Sequence, residues 1–374
     1  MRIDRLELRL LTLPLVNFFE TSFARVHDKH FLIVRVDGDG VSGFGECVAD
    51  RDPYYSAETN DTAWHIITDF VAPRVVGVDF AHPRDVFPAL KAIRGHNMAK
   101  AAVEMAAWDL YAKQRGEPLS ASLGGTRPRI GSGVSIGIQN TIDDLIAKVV
   151  QEHAAGYQRI KIKVKPGWDI EAVRAIRERV GDVPLMVDAN AAYAAGAATA
   201  AHLAQLDGFG LMMIEQPLDY DDIVDHAALQ QQLTTPICLD ESIKSVNAAR
   251  EAIAAGACRI INIKPGRVGG FAESIRLHDL CASHGIPVWH GGMLESGIGR
   301  AANIHLSTLP NFTLPGDVAA SKRYFQPDLI DPPIDVAPDG TIAVPTGAGL
   351  GVAINEERLQ RATVRVTDLH AITI

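Results

Sequence analysis

The sequence predicts an α/β protein, in which a (β/α)7-8 barrel of the modified TIM type carries an α+β capping domain formed by the N-terminal segment and the C-terminal tail. Five short apolar runs recur in the middle of the chain, and their spacing fits one strand, one helix and two short connections. Before these runs, residues alternate between polar and apolar, which is typical of antiparallel strands with one exposed face. The tail returns to that pattern around the turn Pro338-Asp339-Gly340. We therefore expect the tail to pack against the N-terminal segment.

Each of the five apolar runs ends on an ionisable residue. The runs RIKIK, PLMVD, LMMIE, PICLD and IINIK end at Lys163, Asp188, Glu215, Asp240 and Lys264, which are 25, 27, 25 and 24 residues apart. Because the runs are almost continuously apolar, they are predicted to be parallel strands buried on both faces. In a barrel, the carboxyl ends of such strands meet at one rim, where barrel enzymes place their chemistry. The five charged residues should therefore surround one mouth.

The other barrel elements follow from the same alternation. Residues 134–138 are predicted to form the first barrel strand, residues 288–290 the seventh and residues 314–318 a weaker eighth. Helical periodicity predicts the intervening helices at about residues 142–154, 170–180, 192–206, 223–233, 246–255 and 269–284.

The capping domain is predicted to begin with two strands, at residues 3–10 and 31–36, followed by the hairpin signal Asp37-Gly38-Asp39-Gly40. Residues 18–30 are expected to form a loop, either a lid or a disordered connector. A buried helix is predicted at residues 98–113, and a Gly and Pro cluster ends this unit. The predicted domains are residues 1–128 for the cap, completed by about 326–374, and 129–325 for the barrel.

Three carboxylates at one mouth need a counter-charge to stay ionised. Hard oxygen ligands without Cys or His favour Mg2+ or Mn2+ over Zn2+ or Cu2+. Two lysines beside such a cation suit removal and return of a proton alpha to a carboxylate, with the metal stabilising the enediolate. A single charged residue at a strand end is usually a solvated terminus or a helix cap. Five in register favour a common site.

Composition limits the possible partners. The 36 basic and 45 acidic residues give a net charge of -9, which argues against nucleic-acid binding. No apolar run approaches the roughly 18 residues that span a bilayer, and the alternating N-terminus is unlike a signal peptide. The four cysteines show neither CxxC spacing nor a paired pattern. We expect a cytoplasmic homo-oligomer that acts on a small-molecule carboxylate, with no membrane partner.

The order Lys-x-Lys, Asp-x-Asn, Glu-Gln-Pro, Asp-Glu and Lys-Pro on consecutive strands resembles the enolase superfamily, and within it the muconate-lactonizing-enzyme subgroup. Longer strings are most similar to the N-succinylamino acid racemase / o-succinylbenzoate synthase family: KPGRVGG at 264–270, GGMLE at 291–295, GIGR at 297–300, PNF at 310–312 and LPGD at 314–317. The resemblance implies that Asp188, Glu215 and Asp240 bind Mg2+, with Mn2+ as a substitute. It also implies that Lys163 and Lys264 are the acid/base pair.

Four neighbouring residues would support this machinery. The cation of Lys161 would favour a neutral amine on Lys163, and Lys161 could also pair with a carboxylate. Asn190 and Glu241 would orient the ligands. In racemase-type members of the family, an arginine at the position of Arg267 modulates the second lysine; the ordinary alternative is a solvent-facing arginine at a helix start.

Two relatives with other chemistry are disfavoured. The mandelate-racemase branch uses a seventh-strand His paired with an Asp on the sixth strand, but here the sixth strand ends in Lys264. His290 is therefore expected to be a satisfied residue of the mouth or core. Dipeptide epimerases hold the substrate ammonium with Asp-x-Asp, and Asp317-Val318-Ala319 lacks the second acid. An N-acylated substrate fits better.

Substrate contacts are expected from the cap and the barrel mouth, with Gly292 leaving space for an acyl chain or for main-chain hydrogen bonds; the residues are Phe19, Tyr55, Ser135, Gly292 and Met293. The resemblance implies an N-succinyl (more generally N-acyl) amino acid racemase, with o-succinylbenzoate synthase activity on the cyclohexadienyl substrate of menaquinone biosynthesis. The alternatives are a muconate cycloisomerase or another lysine/lysine epimerase, a Schiff-base aldolase, and a metal-binding barrel without activity.

Overall fold

The computed structural model describes residues 1–371, so residues 372–374 of the predicted capping tail lie outside the described chain. Within the described residues, the main sheets are one of four antiparallel strands and one of seven parallel strands. The antiparallel sheet combines strands from both ends of the chain, which confirms the predicted fold class. The domain limits near residues 128 and 325 remain predictions. No helix among the described residues is long and apolar enough to cross a membrane.

The antiparallel sheet is built by β1 (Arg5–Glu20), β2 (Arg25–Gly38) and β3 (Val41–Cys47), and the C-terminal strand pairs with the other edge of β1. The hairpin signal between β2 and β3 is confirmed. Asp39 and Gly40 both have positive φ, 53° and 75°, as a two-residue hairpin turn requires. The helical elements after β3 are α1 (Asn60–Ile66), a π-helical turn (Ile67–Val71), α2 (Ala72–Val75), a 3-10 turn (Pro83–Asp85), α3 (Val86–Ala89), α4 (Asn97–Gln114) and α5 (Leu119–Leu123).

The parallel sheet runs in chain order from β5 to β11, as right-handed βα units produce. The strands from residue 129 are β4 (Arg129–Gly131), β5 (Gly133–Ile136), β6 (Arg159–Lys163), β7 (Leu185–Asp188), β8 (Ile214–Glu215), β9 (Ile237–Leu239), β10 (Ile260–Ile263) and β11 (Val288–His290). The helical elements between and after them are α6 (Ile142–Ala154), α7 (Ile170–Arg179), α8 (Ala197–Leu203) with a 3-10 turn (Ala204–Phe209), α9 (Val224–Gln230), α10 (Val246–Ala255), α11 (Pro265–Val268), α12 (Phe271–Ser283) and α13 (Gly297–Leu306).

The tail contains only short elements before its final strand. They are a 3-10 turn (Ser321–Arg323), β12 (Ile330–Asp331), β13 (Thr341–Ala343), β14 (Ala353–Ile354), α14 (Glu356–Ala362) and β15 (Thr363–His370). Only β13 pairs with a strand near the barrel, β4, whereas β15 joins the N-terminal sheet.

The predicted eighth barrel strand is wrong. Residues 314–318 contain no strand, and Gly316 makes one isolated bridge to Ser132. Pro315 has no N–H to donate to a ladder, which disfavours a regular strand here. Backbone hydrogen bonds still join this segment to both edges of the sheet: Gly133 N donates to Gly316 O (2.7 Å) and Asp317 N donates to His290 O (2.7 Å). The segment therefore closes the barrel without forming a strand.

The predicted loop at residues 18–30 is also wrong. Strands β1 and β2 continue through it, and only residues 21–24 form the turn. The register slips between Pro14 and Phe19, which bends the hairpin. Its tip consequently lies over the mouth of the barrel.

Two buried carboxylates join the N-terminal elements to the barrel by capping its helices. Glu46 of β3 accepts hydrogen bonds from Ser296 N and Gly299 N at the start of α13, each of 3.1 Å. Glu104 of α4 accepts hydrogen bonds from Phe271 N (2.7 Å) and from the next residue at the start of α12. Carboxylates satisfy the free N–H groups at helix starts. These bonds hold β3 and α4 of the cap against the barrel helices.

Candidate active site

The structure brings the two predicted acid/base lysines to opposite sides of the three predicted metal ligands. Lys163 ends β6 and Lys264 follows β10, while the acids stand at the ends of β7, β8 and β9 between them. The Lys163 Nζ donates to Asp188 Oδ2 (2.6 Å), and the Lys264 Nζ donates to Asp240 Oδ2 (2.7 Å). Both lysines line one cavity of about 100 Å³. A substrate in this cavity would have an amine on each side.

The three acids are buried and are neutralised by neighbouring cations. Burial and the charge of Asp188 raise the pKa of Glu215 to about 7. Burial would also raise the pKa of Asp240, but the charges of Lys264 and Arg267 outweigh it and lower this pKa well below its usual value. The acids thus crowd negative charge at one point, and each depends on positive partners.

The donor set fits a hard divalent cation. Among residues 1–371, no three His, Cys, Asp or Glu side chains form a ready group of metal ligands. Hydrogen bonds explain this, because Glu215 accepts from Lys161 (3.1 Å) and Asn262 (2.8 Å), and Asp188 is held by Lys163. The three acids nevertheless stand at the ends of the neighbouring strands β7, β8 and β9. Three buried carboxylates without sulfur or imidazole are ligands that Mg2+ prefers.

Lys161 pairs with three carboxylates. Its Nζ lies 3.3 Å from Asp188, 3.1 Å from Glu215 and 2.5 Å from Asp317. Burial alone would lower the pKa of Lys161, but the charges of these acids raise it well above its usual value. Lys161 is therefore a permanent cation beneath the site, as the carboxylate-partner alternative expects. Its effect on Lys163 stays a prediction.

Asn190 and Glu241 form a hydrogen-bonded chain with the first lysine. The Lys163 Nζ donates to Asn190 Oδ1 (2.7 Å), and Asn190 Nδ2 donates to Glu241 Oε1 (2.9 Å). Burial and the charge of Asp240 raise the pKa of Glu241 to about 8. Asn190 has φ +45°, a backbone conformation that non-glycine residues rarely adopt and that often occurs at functional sites.

Arg267 is buried, so its solvent-facing alternative is wrong. Its guanidinium pairs with Asp240, and its Nε donates to Ile243 O (2.7 Å). Asp240 is therefore shared between Arg267 and Lys264. This arrangement lets Arg267 act on the lysine through the acid.

Two residues that hold the acids were not predicted from the sequence. Asn262 donates to Glu215 from β10, and Gln216 accepts from Asp240 N (3.0 Å) while donating to Ser242 Oγ (2.6 Å). Asn262 was detectable as the polar residue within the apolar run IINIK. Gln216 follows a ligand directly and has φ +35°. Both residues fix the positions of the acids.

The predicted substrate contacts are only partly brought together. Phe19, Tyr55, Gly292 and Met293 line the cavity with the lysines, but Ser135 does not. Ser135 is buried in β5, and its hydroxyl has no hydrogen-bond partner among the described residues. Tyr55 makes closer contacts than expected, since its hydroxyl donates to Asp240 (3.1 Å) and accepts from Lys264 (3.0 Å).

Gly292 lies where two backbone segments approach closely. A Cβ at Gly292 would lie 2.6 Å from the Asp317 carbonyl oxygen, so glycine allows two backbones to approach closely. Gly292 also lines the cavity, and its expected contact with an acyl chain stays a prediction.

Gly292→Ala is therefore expected to move Met293 and Asp317, raising KM several-fold and reducing stability by about 1–3 kcal/mol. Thermal unfolding and steady-state kinetics would measure both effects. Gly208→Ala, where a Cβ meets no atom within 4 Å, is the control. Unchanged values for Gly292→Ala would contradict this role.

His290 is buried at the end of β11 and stacks on Phe312, with ring centroids 6.5 Å apart. His290 is therefore a core residue, as expected, although neither ring nitrogen makes a hydrogen bond of regular geometry among residues 1–371. Burial lowers the pKa of His290 to about 3 and keeps the ring neutral. It does not line the lysine cavity.

Comparisons with known proteins agree with this fold and site. Residues 9–124 match the mandelate racemase / muconate lactonizing enzyme N-terminal domain, and residues 144–358 match the enolase C-terminal domain-like family. The chain is 53% identical to an o-succinylbenzoate synthase of Geobacillus kaustophilus, covering 96% of each chain. It is 48% identical to an N-succinylamino acid racemase of Amycolatopsis, covering 97% of this chain and 98% of that one. A crystal structure of an enolase superfamily member from Listeria innocua superposes with a TM-score of 0.94 at 39% identity, covering 99% of each chain.

A seven-stranded barrel with acids and lysines at its mouth, under a cap from both chain ends, defines an enzyme of the enolase type. The chain belongs to the enolase superfamily. The predicted likeness to the N-succinylamino acid racemase / o-succinylbenzoate synthase family is confirmed. Members of this superfamily generally use Mg2+.

Proposed function

We propose that this enzyme racemises N-succinyl, and more generally N-acyl, amino acids, and that it also has o-succinylbenzoate synthase activity. One observation carries the proposal: Lys163 and Lys264 line the same cavity from opposite sides of three buried acids. Inversion at a carbon needs one group to take a proton and another to return it from the opposite face.

The side chains divide the work. Asp188, Glu215 and Asp240 would hold Mg2+, which supplies Lewis-acid stabilisation of negative charge on a substrate carboxylate. Lys163 takes the alpha proton from one face, and Lys264 returns a proton to the other. For the opposite enantiomer the roles reverse. The cap excludes water, because the hairpin tip and Tyr55 cover the cavity.

Asp317 supports an N-acyl substrate. Its Oδ1 lies 2.5 Å from Arg159 and its Oδ2 2.5 Å from Lys161, so both oxygens are occupied. A free substrate ammonium would find no open carboxylate at this position. An amide nitrogen, which carries no charge, needs none.

The synthase activity is supported by the relatives, several of which are named o-succinylbenzoate synthase. In this dehydration Lys163 would act as both base and acid, while Lys264 would stabilise the developing negative charge. Neither role requires a residue beyond those in the cavity.

The direct test is incubation with N-succinyl-phenylalanine in deuterated water. We expect deuterium at the alpha carbon together with loss of optical rotation, measured by NMR and polarimetry. Absence of exchange, combined with lactone formation from muconate, would instead establish the muconate cycloisomerase alternative.

Metal removal is expected to abolish activity. After treatment with EDTA, racemisation should fall by about 10³-fold or more, since no other group replaces the Lewis acid. Activity should return with Mg2+ or Mn2+. An EDTA-resistant adduct trapped by borohydride would point to Schiff-base chemistry instead.

A further inference from the structure

A third lysine faces the same cavity. Lys29 of β2 lines the cavity together with Lys163 and Lys264, and its side chain is only 3% exposed. Its ammonium pairs with Asp50, whose side chain is 39% exposed. Among the described residues, Asp50 is its only acidic partner. Unlike the other two lysines, Lys29 contacts none of the proposed metal ligands.

The Lys29–Asp50 pair is asymmetric. A buried ammonium needs an anion, because leaving it unpaired costs several kcal/mol. Asp50 is well hydrated on its exposed side and also lines an outer groove at the hairpin tip. Water can reach the carboxylate of Asp50, so losing the partner costs Asp50 less than it costs the buried ammonium. Another carboxylate that reached the cavity could therefore displace Asp50 at small cost.

The substrate class supplies such a carboxylate. Both relative names, o-succinylbenzoate synthase and N-succinylamino acid racemase, contain a succinyl group. This group ends in a free carboxylate remote from the reacting carbon. With the reacting carbon between Lys163 and Lys264, the succinyl end must meet another part of the cavity wall. Lys29 is the lysine of that wall that the acid cluster does not occupy.

Resting on the proposed function, we propose that Lys29 binds the distal carboxylate of the succinyl group and that Asp50 occupies its ammonium until substrate arrives. Lys29 thereby determines specificity for acyl groups with a terminal negative charge. Asp50 competes with substrate for the same cation. In the rival arrangement, Asp50 binds a cationic side chain of the amino acid. Loss of the Asp50 charge would then weaken substrate binding, whereas in our proposal it strengthens binding of the succinyl group.

The test compares N-succinyl-phenylalanine with its uncharged isostere N-succinamoyl-phenylalanine, in which an amide replaces the distal carboxylate. Lys29→Met should reduce kcat/KM for the succinyl compound by about 30-fold or more and change that of the amide by less than about threefold. Asp50→Asn should raise the succinyl/succinamoyl ratio several-fold, because it removes the competitor. Lys322→Met, at an exposed surface pair, is the matched control.

Three outcomes would overturn the inference. Equal losses for both compounds in Lys29→Met would show a structural role, and a lower ratio in Asp50→Asn would favour the cationic-side-chain arrangement. If the wild-type enzyme turns over both compounds equally, the racemase proposal survives and the inference fails. If it turns over neither, the racemase proposal fails, and calorimetric binding of the two compounds to wild type and Lys29→Met decides the inference separately.

Discussion

Replacing Lys264 with alanine is expected to reduce racemisation of N-succinyl-phenylalanine by about 10³-fold or more. The buried ammonium is the group on its side of the acid cluster that can deliver a proton to the cavity. Lys163 remains in place on the other side. The variant should therefore still exchange the alpha proton of one enantiomer with deuterium, while exchange of the other enantiomer is lost.

Lys163→Ala is the complementary variant and should show the reverse enantiomer preference. Proton NMR of each pure enantiomer in deuterated water measures this directly. Lys322→Ala, at the surface pair with Asp335, controls for the loss of a lysine far from the cavity. Exchange of both enantiomers by both variants would exclude a two-base mechanism.

The acid cluster could be predicted from the sequence because the four apolar runs after RIKIK each carry their single charged residue at the end of the run. The interval between Lys163, Asp188 and the later runs reports the βα repeat, and parallel strands place their ends together. Strand ends alone do not identify Asn262, which lies inside the run IINIK, or Gln216, which follows Glu215. A polar residue in an apolar run marks Asn262 as unusual, but the acids that Asn262 and Gln216 contact are known only from the fold.

The prediction of a loop at residues 18–30 was wrong for a related reason. Polar residues such as Glu20 and Arg25 suggested a loop, yet a strand ladder uses only backbone groups. One face of the hairpin tip also contacts solvent, so apolar alternation is weak there. Conversely, the apolar residues at 314–318 suggested a strand, and Pro315 prevented the ladder. In both segments, the available backbone hydrogen-bond partners determined whether a strand formed, and the local sequence pattern did not.

The cavity shows why the lysines require the cap. Tyr55 contacts both Asp240 and Lys264, so a residue outside the barrel completes the environment of the second amine. Glu46 and Glu104 hold the cap to the barrel by hydrogen bonds at helix starts. Chemistry and specificity are thereby coupled, because the same hairpin that carries Lys29 closes the cavity over the acids.

Glu215→Gln is expected to have opposite effects on stability and activity. Glu215 is fully buried and lies close to the charge of Asp188, so a neutral side chain of the same shape relieves repulsion. Asn262 can still donate a hydrogen bond to the amide oxygen of the new side chain. Lys161 retains its ion pairs with Asp188 and Asp317. Without metal, the variant should unfold at the same temperature as the wild type or higher.

With Mg2+, the wild type should unfold at a higher temperature than Glu215→Gln. A ligand that binds only the folded state raises its stability according to its affinity, and the variant loses one anionic ligand. We expect Mg2+ to raise the unfolding temperature of the wild type by several degrees and that of Glu215→Gln hardly at all, with activity reduced about 10²-fold or more. Glu273→Gln, on the outer helix α12, is the matched control. An equal Mg2+-dependent rise in both proteins would show that Glu215 does not bind the metal, whereas a lower unfolding temperature without Mg2+ would show that its negative charge is needed to balance Lys161.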